Sequence, residues 1–349
     1  YRNDDAAGSI ALGQLDDAAW LSHFGNFEPF AGSFESPLAL CYHGHQFGQY
    51  NPDLGDGRGF LFAQFYDNRN RLMDLGTKGS GTTPFSRSGD GRLTLKGAVR
   101  EILATEMLEA LGVKTSRTLS VIETGESLQR QDEPSPTRSA VLVRLSHSHI
   151  RIGSFQQLFY HDDADGIETL ARHVARHYYA TPEYSAVVDA DAGLEDLLAD
   201  LLQAIASRIA VTAGQWMAAG FVHGVLNTDN FNVTGESFDY GPWRFLPQFD
   251  AGLTAAYFDQ TRRYAYGRQP EAAMWAVCRL ADCFAKLVPK NILEDRLEGF
   301  YQQLERALAS AVQYRLGITF ADVDDERDAV LARQLFTAAK TSAYGFDQI

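Results

Sequence analysis

Four clusters in the sequence hold residue types that could do chemistry on a phosphorylated substrate. Gly55-Asp56-Gly57-Arg58-Gly59 joins glycines, which let a backbone approach a phosphate closely, to an arginine able to add a charge-assisted bond. A plain glycine-rich turn accounts for the same residues. Lys78-Gly79-Ser80-Gly81-Thr82-Thr83-Pro84, followed by Ser88-Gly89-Asp90-Gly91-Arg92, sets a lysine beside a second glycine-rich stretch, without the Gly-Lys-Ser/Thr order of a Walker A loop. Arg144 and Arg151 carry forked donors that suit one shared anion, or are two unrelated surface cations. Finally, His223 to Asn230 and Phe238 to Pro242 contain Asp229, Asn230 and Asp239. Asparagine and aspartate oxygens are hard ligands suited to Mg²⁺, which keeps waters and shares its substrate's phosphates. A polar loop capping helices is the plain alternative. His43 and His45, and His147 and His149, have no third ligand at close spacing and read as loop or packing histidines.

The order of these clusters has a chemical logic. A lysine at the end of a strand, paired with a glutamate on the next helix, is how protein kinases hold a nucleotide's phosphates. Lys78 and Glu101 have those positions, although a surface lysine and a solvated glutamate would look the same in sequence. In kinases a His-x-Asp-x-x-x-x-Asn loop then supplies a base and a metal ligand, and the aspartate of Asp-Phe-Gly completes the metal site. His223 and Asn230 keep that spacing, and Asp239-Tyr240-Gly241 stands in for the second motif. Val225 occupies the place of the aspartate base and cannot accept a proton. Asp229 is the neighbouring carboxylate able to act instead.

The elements that must position these groups are legible in outline. Residues 1–60 read as loops, short helices and turns. Phe60 to Tyr66 and Arg71 to Thr77 read as two strands joined by a hairpin turn at Asp67-Asn68-Arg69-Asn70. Leu95, Ala98, Val99, Ile102, Leu103, Met107 and Leu111 repeat at helical spacing, predicting a helix from Thr94 to Leu111 capped by Gly112. Strands are predicted at Ser116–Thr124 and Ser139–Leu145, with Gln129–Arg138 as a surface loop between them. Leu194, Leu198, Leu201, Ile205 and Ile209 mark a long amphipathic helix that Gly220 ends. Helices resume at 270–287 and 290–317. The chain is thus strand-rich first and helix-rich second, an α+β class with its hinge near 153–165.

Composition limits the partners. The 349 residues carry 31 Lys+Arg against 45 Asp+Glu, a net charge of −14, which argues against a broad electrostatic grip on nucleic acid or an anionic membrane. A local basic cleft for a polyphosphate is compatible with that total. No apolar run of 18 residues predicts a membrane-spanning helix. Cys41, Cys278 and Cys283 are too few for a disulfide framework and suit a reducing compartment. Cys278 and Cys283 fall within one predicted helix and make no case for a redox pair. The start at Tyr1 and the end at Ile349 read as truncations.

Across residues 40–285 the motifs together resemble the selenoprotein O family, the YdiU-type pseudokinases. The shared features are His43-Gly44-His45-Gln46-Phe47-Gly48, Leu54 to Arg58, Lys78 to Gly81 with Pro84-x-Ser86-Arg87, and Gly89 to Arg92. Arg100-Glu101, Arg144 with Arg151, His223 to Asn230, Phe238 to Pro242 and Tyr266-x-Arg268-Gln269-Pro270 complete them. The resemblance implies a protein-kinase-like bilobal fold, with a strand-rich N-lobe at 1–153 and a helical C-lobe at 154–349. It implies ATP bound flipped relative to kinases, and transfer of AMP to Ser, Thr or Tyr hydroxyls of proteins with release of pyrophosphate. Gly55, Gly57, Arg58, Lys78, Asp90, Gly91, Arg144, Arg151 and Asp239 would bind the nucleotide, with Glu101 as the ion-pair partner of Lys78. Asn230 and Asp239 would hold Mg²⁺, and Asp229 would be the proton acceptor, so that Val225 is a family trait.

Two other enzyme readings are UMP transfer with Mn²⁺ and conventional phosphoryl transfer; a non-catalytic nucleotide-binding scaffold is the third alternative. The expected partners are ATP and protein substrates, with no nucleic acid and no membrane, in the cytoplasm of a bacterium or the mitochondrion of a eukaryote. The family's C-terminal segment with a redox-active cysteine or selenocysteine has no match here, so thiol regulation is not carried over.

Overall fold

A computed structural model describes residues 1–180, 187–320, 322, 324–342 and 344–348. It is a mixed α+β structure whose contacts divide the chain into two compact units. The first comprises Tyr1–His43, Asn51–Glu106 and Thr115–Ile150; the second comprises Gly44–Tyr50, Met107–Lys114 and Arg151–Ile349.

In chain order the elements up to Ile150 are α1 (Asp4–Ser9), α2 (Asp17–Phe24), β1 (Ser33–Leu38), β2 (Gly44–Gln46), β3 (Gln49–Asn51), β4 (Leu61–Tyr66) and β5 (Leu72–Lys78). They continue with β6 (Leu93–Thr94), α3 (Leu95–Ala110), β7 (Arg117–Leu128) and β8 (Thr137–Ser146). The predicted hairpin is β4–β5, paired antiparallel from Leu61↔Gly76 to Tyr66↔Leu72. It extends into an antiparallel sheet in the order β1-β4-β5-β8, with β7 and β6 also pairing with β8. Side chains alternate across this sheet. Met73 and Leu75 of β5 and Val143 and Leu145 of β8 face α1 and α2, where Ile10, Trp20 and Phe24 complete a core. The opposite face of β8, with Ala140 and Leu142, packs on Ala98 and Ile102 of α3. Period-two alternation therefore turns Gly76, Lys78 and Arg144 towards α3.

β7 and β8 run beyond their expected lengths. Thr124 to Ser127 are exposed, so the outer part of β7 has no apolar alternation to reveal it, yet pairing continues to Leu128↔Thr137. Residues 1–60, expected as short helices and turns, also contain β1, β2 and β3.

The second unit is built around helices α4 (Ile152–Tyr160), α5 (Ala164–Tyr178), α6 (Leu194–Ala219), α7 (Gln269–Phe284), α8 (Lys290–Leu297), α9 (Phe300–Leu316) and α10 (Asp325–Thr341). Among the described residues α6 is long and apolar enough to cross a membrane, but 78% of its most apolar window is buried. It packs on α5, α7, α8 and α9 as a core helix. Gly220, at φ 65°, ends α6 in the left-handed conformation expected of such a cap. The chain then enters β9 (Phe221–Val222), which pairs with β10 (Arg244–Phe245). The helix expected over 290–317 is two helices, α8 and α9, because Glu298-Gly299 breaks it. Helix α10 was not foreseen; its buried face of Asp328, Ala332, Leu335 and Ala339 holds one large apolar side chain.

Candidate active site

In the first unit the sheet and α3 assemble an ion triad. Lys78 ends β5 and Arg144 lies opposite Gly76 on β8, so both reach the α3 face. Glu101, on the second turn of α3 and 1% exposed, bonds Lys78 Nζ through Oε1 and Arg144 through Oε2 at 3.3 Å. One carboxylate thus serves two cations, and the triad keeps a net positive charge suited to a polyphosphate.

The glycine-rich stretches line a cleft of about 620 Å³ in the same unit. Gly55, Gly57, Arg58, Asp90 and Gly91 all border it, joined by Phe85, Arg87, Arg92 and Arg130. A chain of net charge −14 therefore concentrates four arginines around one hollow. The two loops are tied together, Thr83 Oγ1 donating to Asp56 O and Ser86 Oγ to Gly57 O, each at 2.6 Å. Several glycines are required by packing. A Cβ at Gly55 would enter the Phe85 ring, and one at Gly57 would lie 3.0 Å from Phe85 O. Gly91, at φ 70°, runs against the backbone of Gly81. Arg130, from the segment read as a plain surface loop, grips both Asp90 oxygens at 2.8 and 3.0 Å and holds that carboxyl below its usual range. Nothing local to Arg130 signals this contact, which spans forty residues.

The second unit builds the carboxylate site. Asn227 precedes a single 3₁₀ turn, Thr228–Asn230, that presents Asp229 and Asn230. Val225 contributes through its backbone: its carbonyl accepts Asn230 Nδ2 at 3.0 Å, which commits the amide nitrogen and leaves the amide oxygen as the ligand atom. His223 is fully buried and its Nε2 lies 3.0 Å from Phe238 O, fixing the residue before Asp239. Asp239 itself sits at φ 63°, a left-handed conformation rare for a non-glycine residue and costly unless the surroundings impose it. Arg151, at the N-cap of α4, places its guanidinium 5.1 Å from the Phe238 ring.

Asp229 is a strongly perturbed carboxyl. It is 8% exposed, and burial pushes its pKa up to about 6, with the Asp239 charge adding and Arg151 and Gln46 opposing. Among the described residues its Oδ1 has no hydrogen-bond partner. Gly44 leaves room there: a Cβ would lie 2.6 Å from that oxygen. Gly44→Ala is therefore expected to lower turnover at least tenfold with little change in thermal stability, read by steady-state kinetics beside a melting curve. Equal turnover would show that the space beside Oδ1 is not used.

These residues suit a hydrated divalent cation. Among the described residues no three His, Cys, Asp or Glu side chains cluster as a metal cage. The oriented amide of Asn230 and the strained Asp239 give few ligands and leave positions for water and phosphate, as a hydrated divalent ion needs, while the Asp229 oxygen beside them stays unbonded. The two histidine pairs are engaged in hydrogen bonds: the His149 backbone N–H donates to Asp74 at 2.8 Å, and His45 is bonded to Gln156. Cys278 and Cys283 lie on α7 unpaired, and burial raises both thiols. Arg144 belongs to the first unit and Arg151 to the second.

The sequence profile described as "Protein adenylyltransferase SelO" matches residues 1–349. The chain belongs to the SelO family. A Synechocystis protein named "Protein nucleotidyltransferase YdiU" is 46% identical over 340 residues, covering 96% of this chain and 68% of its own. A Gloeobacter violaceus protein of that name is 56% identical over 285 residues, 80% of this chain and 55% of its own. A Vibrio vulnificus namesake is 36% identical over 336 residues, 96% and 65%. This SelO-family chain thus spans from about half to two thirds of the length of these relatives, all bacterial. Membership implies nucleotide transfer and, with it, a divalent metal.

Proposed function

We propose that this chain transfers AMP from ATP to serine, threonine or tyrosine hydroxyls of proteins, with Asp229 as proton acceptor. The observation that carries the reading is Asp229 itself, a buried carboxyl with one oxygen unbonded, next to Asn230 and with its pKa raised by burial to about 6. A group of that pKa takes a proton readily near neutrality. The hydroxyl oxygen attacks the α-phosphorus, its proton passes to Asp229, and the α–β phosphoanhydride bond breaks to release pyrophosphate. Lys78 and Arg144, held by Glu101, and also Arg151 would bind the departing phosphates. Gly55, Gly57, Arg58, Asp90 and Gly91 would line the nucleotide, and Asp239 would touch it as well. A divalent ion on Asn230 and Asp239, Mg²⁺ in preference to Mn²⁺, would offset phosphate charge. A kinase-like arrangement of two lobes, 1–153 and 154–349, with ATP reversed in it, belongs to the same proposal, as does a cytoplasmic place of action.

The test uses ATP labelled at the α or the γ phosphate with Mg²⁺ and a protein acceptor. Label is expected to become protein-bound from the α position alone, and Asp239→Ala is expected to reduce it at least a hundredfold while the protein stays folded. UTP with Mn²⁺ is the competing pair in the same assay. Label from γ alone would overturn the reading in favour of a kinase. Label from neither, with ATP still raising the melting temperature, would leave a non-catalytic nucleotide binder.

A further inference from the structure

The segment Gly44–Tyr50, which the contacts assign to the second unit, is bonded to the catalytic turn at successive positions. His45 N–H donates to Thr228 Oγ1 at 2.7 Å, and Phe47 N–H donates to Asn227 Oδ1 at 3.0 Å. Gln46 reaches the Asp229 carboxylate from the same segment. Tyr264 Oη adds a second donor to Asn227 Oδ1 at 2.9 Å.

Gln156 of α4 closes this arrangement into a ring. It is 3% exposed, and Thr228 is fully buried. Because Thr228 Oγ1 already accepts from His45 N–H, its hydroxyl proton is available, and Gln156 Oε1 lies 2.6 Å away to accept it. That fixes the amide orientation, so Gln156 Nε2, a donor only, faces His45 Nδ1 at 2.8 Å. The three residues form a closed cycle in which each donates once and accepts once. Tyr50 Oη holds the Gln156 carbonyl at 3.1 Å from the far side of the same segment.

We propose that Gln156, Thr228 and His45 are positioning residues, a hydrogen-bonded ring that sets Asp229 in the orientation proton transfer needs. The inference rests on the reading of Asp229 as proton acceptor. Thr228 is the residue immediately before Asp229, so a rotation of its backbone carries the carboxylate with it. Displacing a reacting group by about 1 Å costs on the order of a hundredfold in rate, whereas nucleotide affinity does not pass through this ring.

The experiment combines kinetics with amide hydrogen exchange. Gln156 and His45 border a cavity of about 300 Å³, so Gln156→Met fits without overpacking. Thr228→Val keeps the shape and removes the hydroxyl. Each is expected to lower kcat for α-labelled AMP transfer at least tenfold with KM for ATP within twofold. The double variant should be no slower than the slower single one, because either substitution opens the same ring. Thr228→Ser, which restores the hydroxyl, should return kcat to within threefold of wild type. In Gln156→Met and Thr228→Val, exchange should quicken at 44–50 and 227–230 while α6, the folding control, keeps its protection.

A kcat within twofold of wild type in both variants would overturn the proposal, as would a lowered kcat with unchanged exchange in those segments. A wild-type protein that transfers no label would instead refute the functional reading. The exchange result would then decide by itself whether the ring holds the turn.

Discussion

Asp229→Asn is expected to abolish AMP transfer, by about 10²–10⁴-fold as for loss of a general base, and at the same time to stabilise the protein above pH 6. The two effects have one cause. Burial raises the Asp229 carboxyl from 3.8 to about 6, so the folded state resists ionisation that the unfolded state accepts. A raised acid contributes its stability below the unfolded value and loses it as pH climbs through the folded one. Between about pH 4 and pH 6 the native protein therefore accumulates a penalty; two pKa units correspond to about 3 kcal/mol at its plateau. Asparagine has nearly the same shape and no charge to desolvate. In chelator, the variant should melt above wild type at pH 8, and the gap should close as pH falls towards 4.5. A gap independent of pH would mean that this carboxyl does not carry the cost of burial. Unimpaired transfer would remove Asp229 from the chemistry.

The second large effect is expected in the first unit. Glu101→Ala takes the shared carboxylate from Lys78 and Arg144, whose side chains are only 13% and 7% exposed. Breaking a buried ion pair by removing one partner typically costs about 3–5 kcal/mol, since the remaining charge stays desolvated. For a domain of this size that is roughly 10 °C in melting temperature. Salt should rescue little of it, because buried charges are poorly screened. Glu101→Gln, which keeps a hydrogen-bonding oxygen, should lose less. ATP-induced stabilisation should fall in both, as Lys78 and Arg144 lose their common anchor. A shift below about 2 °C for the alanine variant would show that other partners of the two cations suffice.

Comparing sequence and structure, the local elements were legible because their physics is local. The β4–β5 hairpin announces itself through an apolar run, a polar turn and a second run. α3 and α6 do so through spacing and through the glycines at their ends. The order of the chemical groups was legible too: lysine, glutamate, arginines, then Asp229, Asn230 and Asp239. Even the placing of Lys78 and Arg144 on one face of the sheet follows from period-two alternation once the strands are paired. Val225 warned from the sequence alone that a kinase-type base was absent.

What only the tertiary structure decided were contacts between distant residues, which leave no period and no spacing to read. Gly44 is only one member of a shared motif until the fold sets it against Asp229 Oδ1. Gln156 has no distinguishing neighbours in the chain, yet it bonds residues 111 positions before it and 72 after. Gly55 invited a phosphate explanation, and the Phe85 ring gives it a packing one as well. The raised pKa of Asp229 is likewise a tertiary property. Composition states that a carboxyl is present; only burial, with the Asp239 charge adding to it, lifts that carboxyl's pKa to about 6. Side-chain type and order are set by the sequence one residue at a time, whereas desolvation and close approach depend on which distant surfaces the fold brings together.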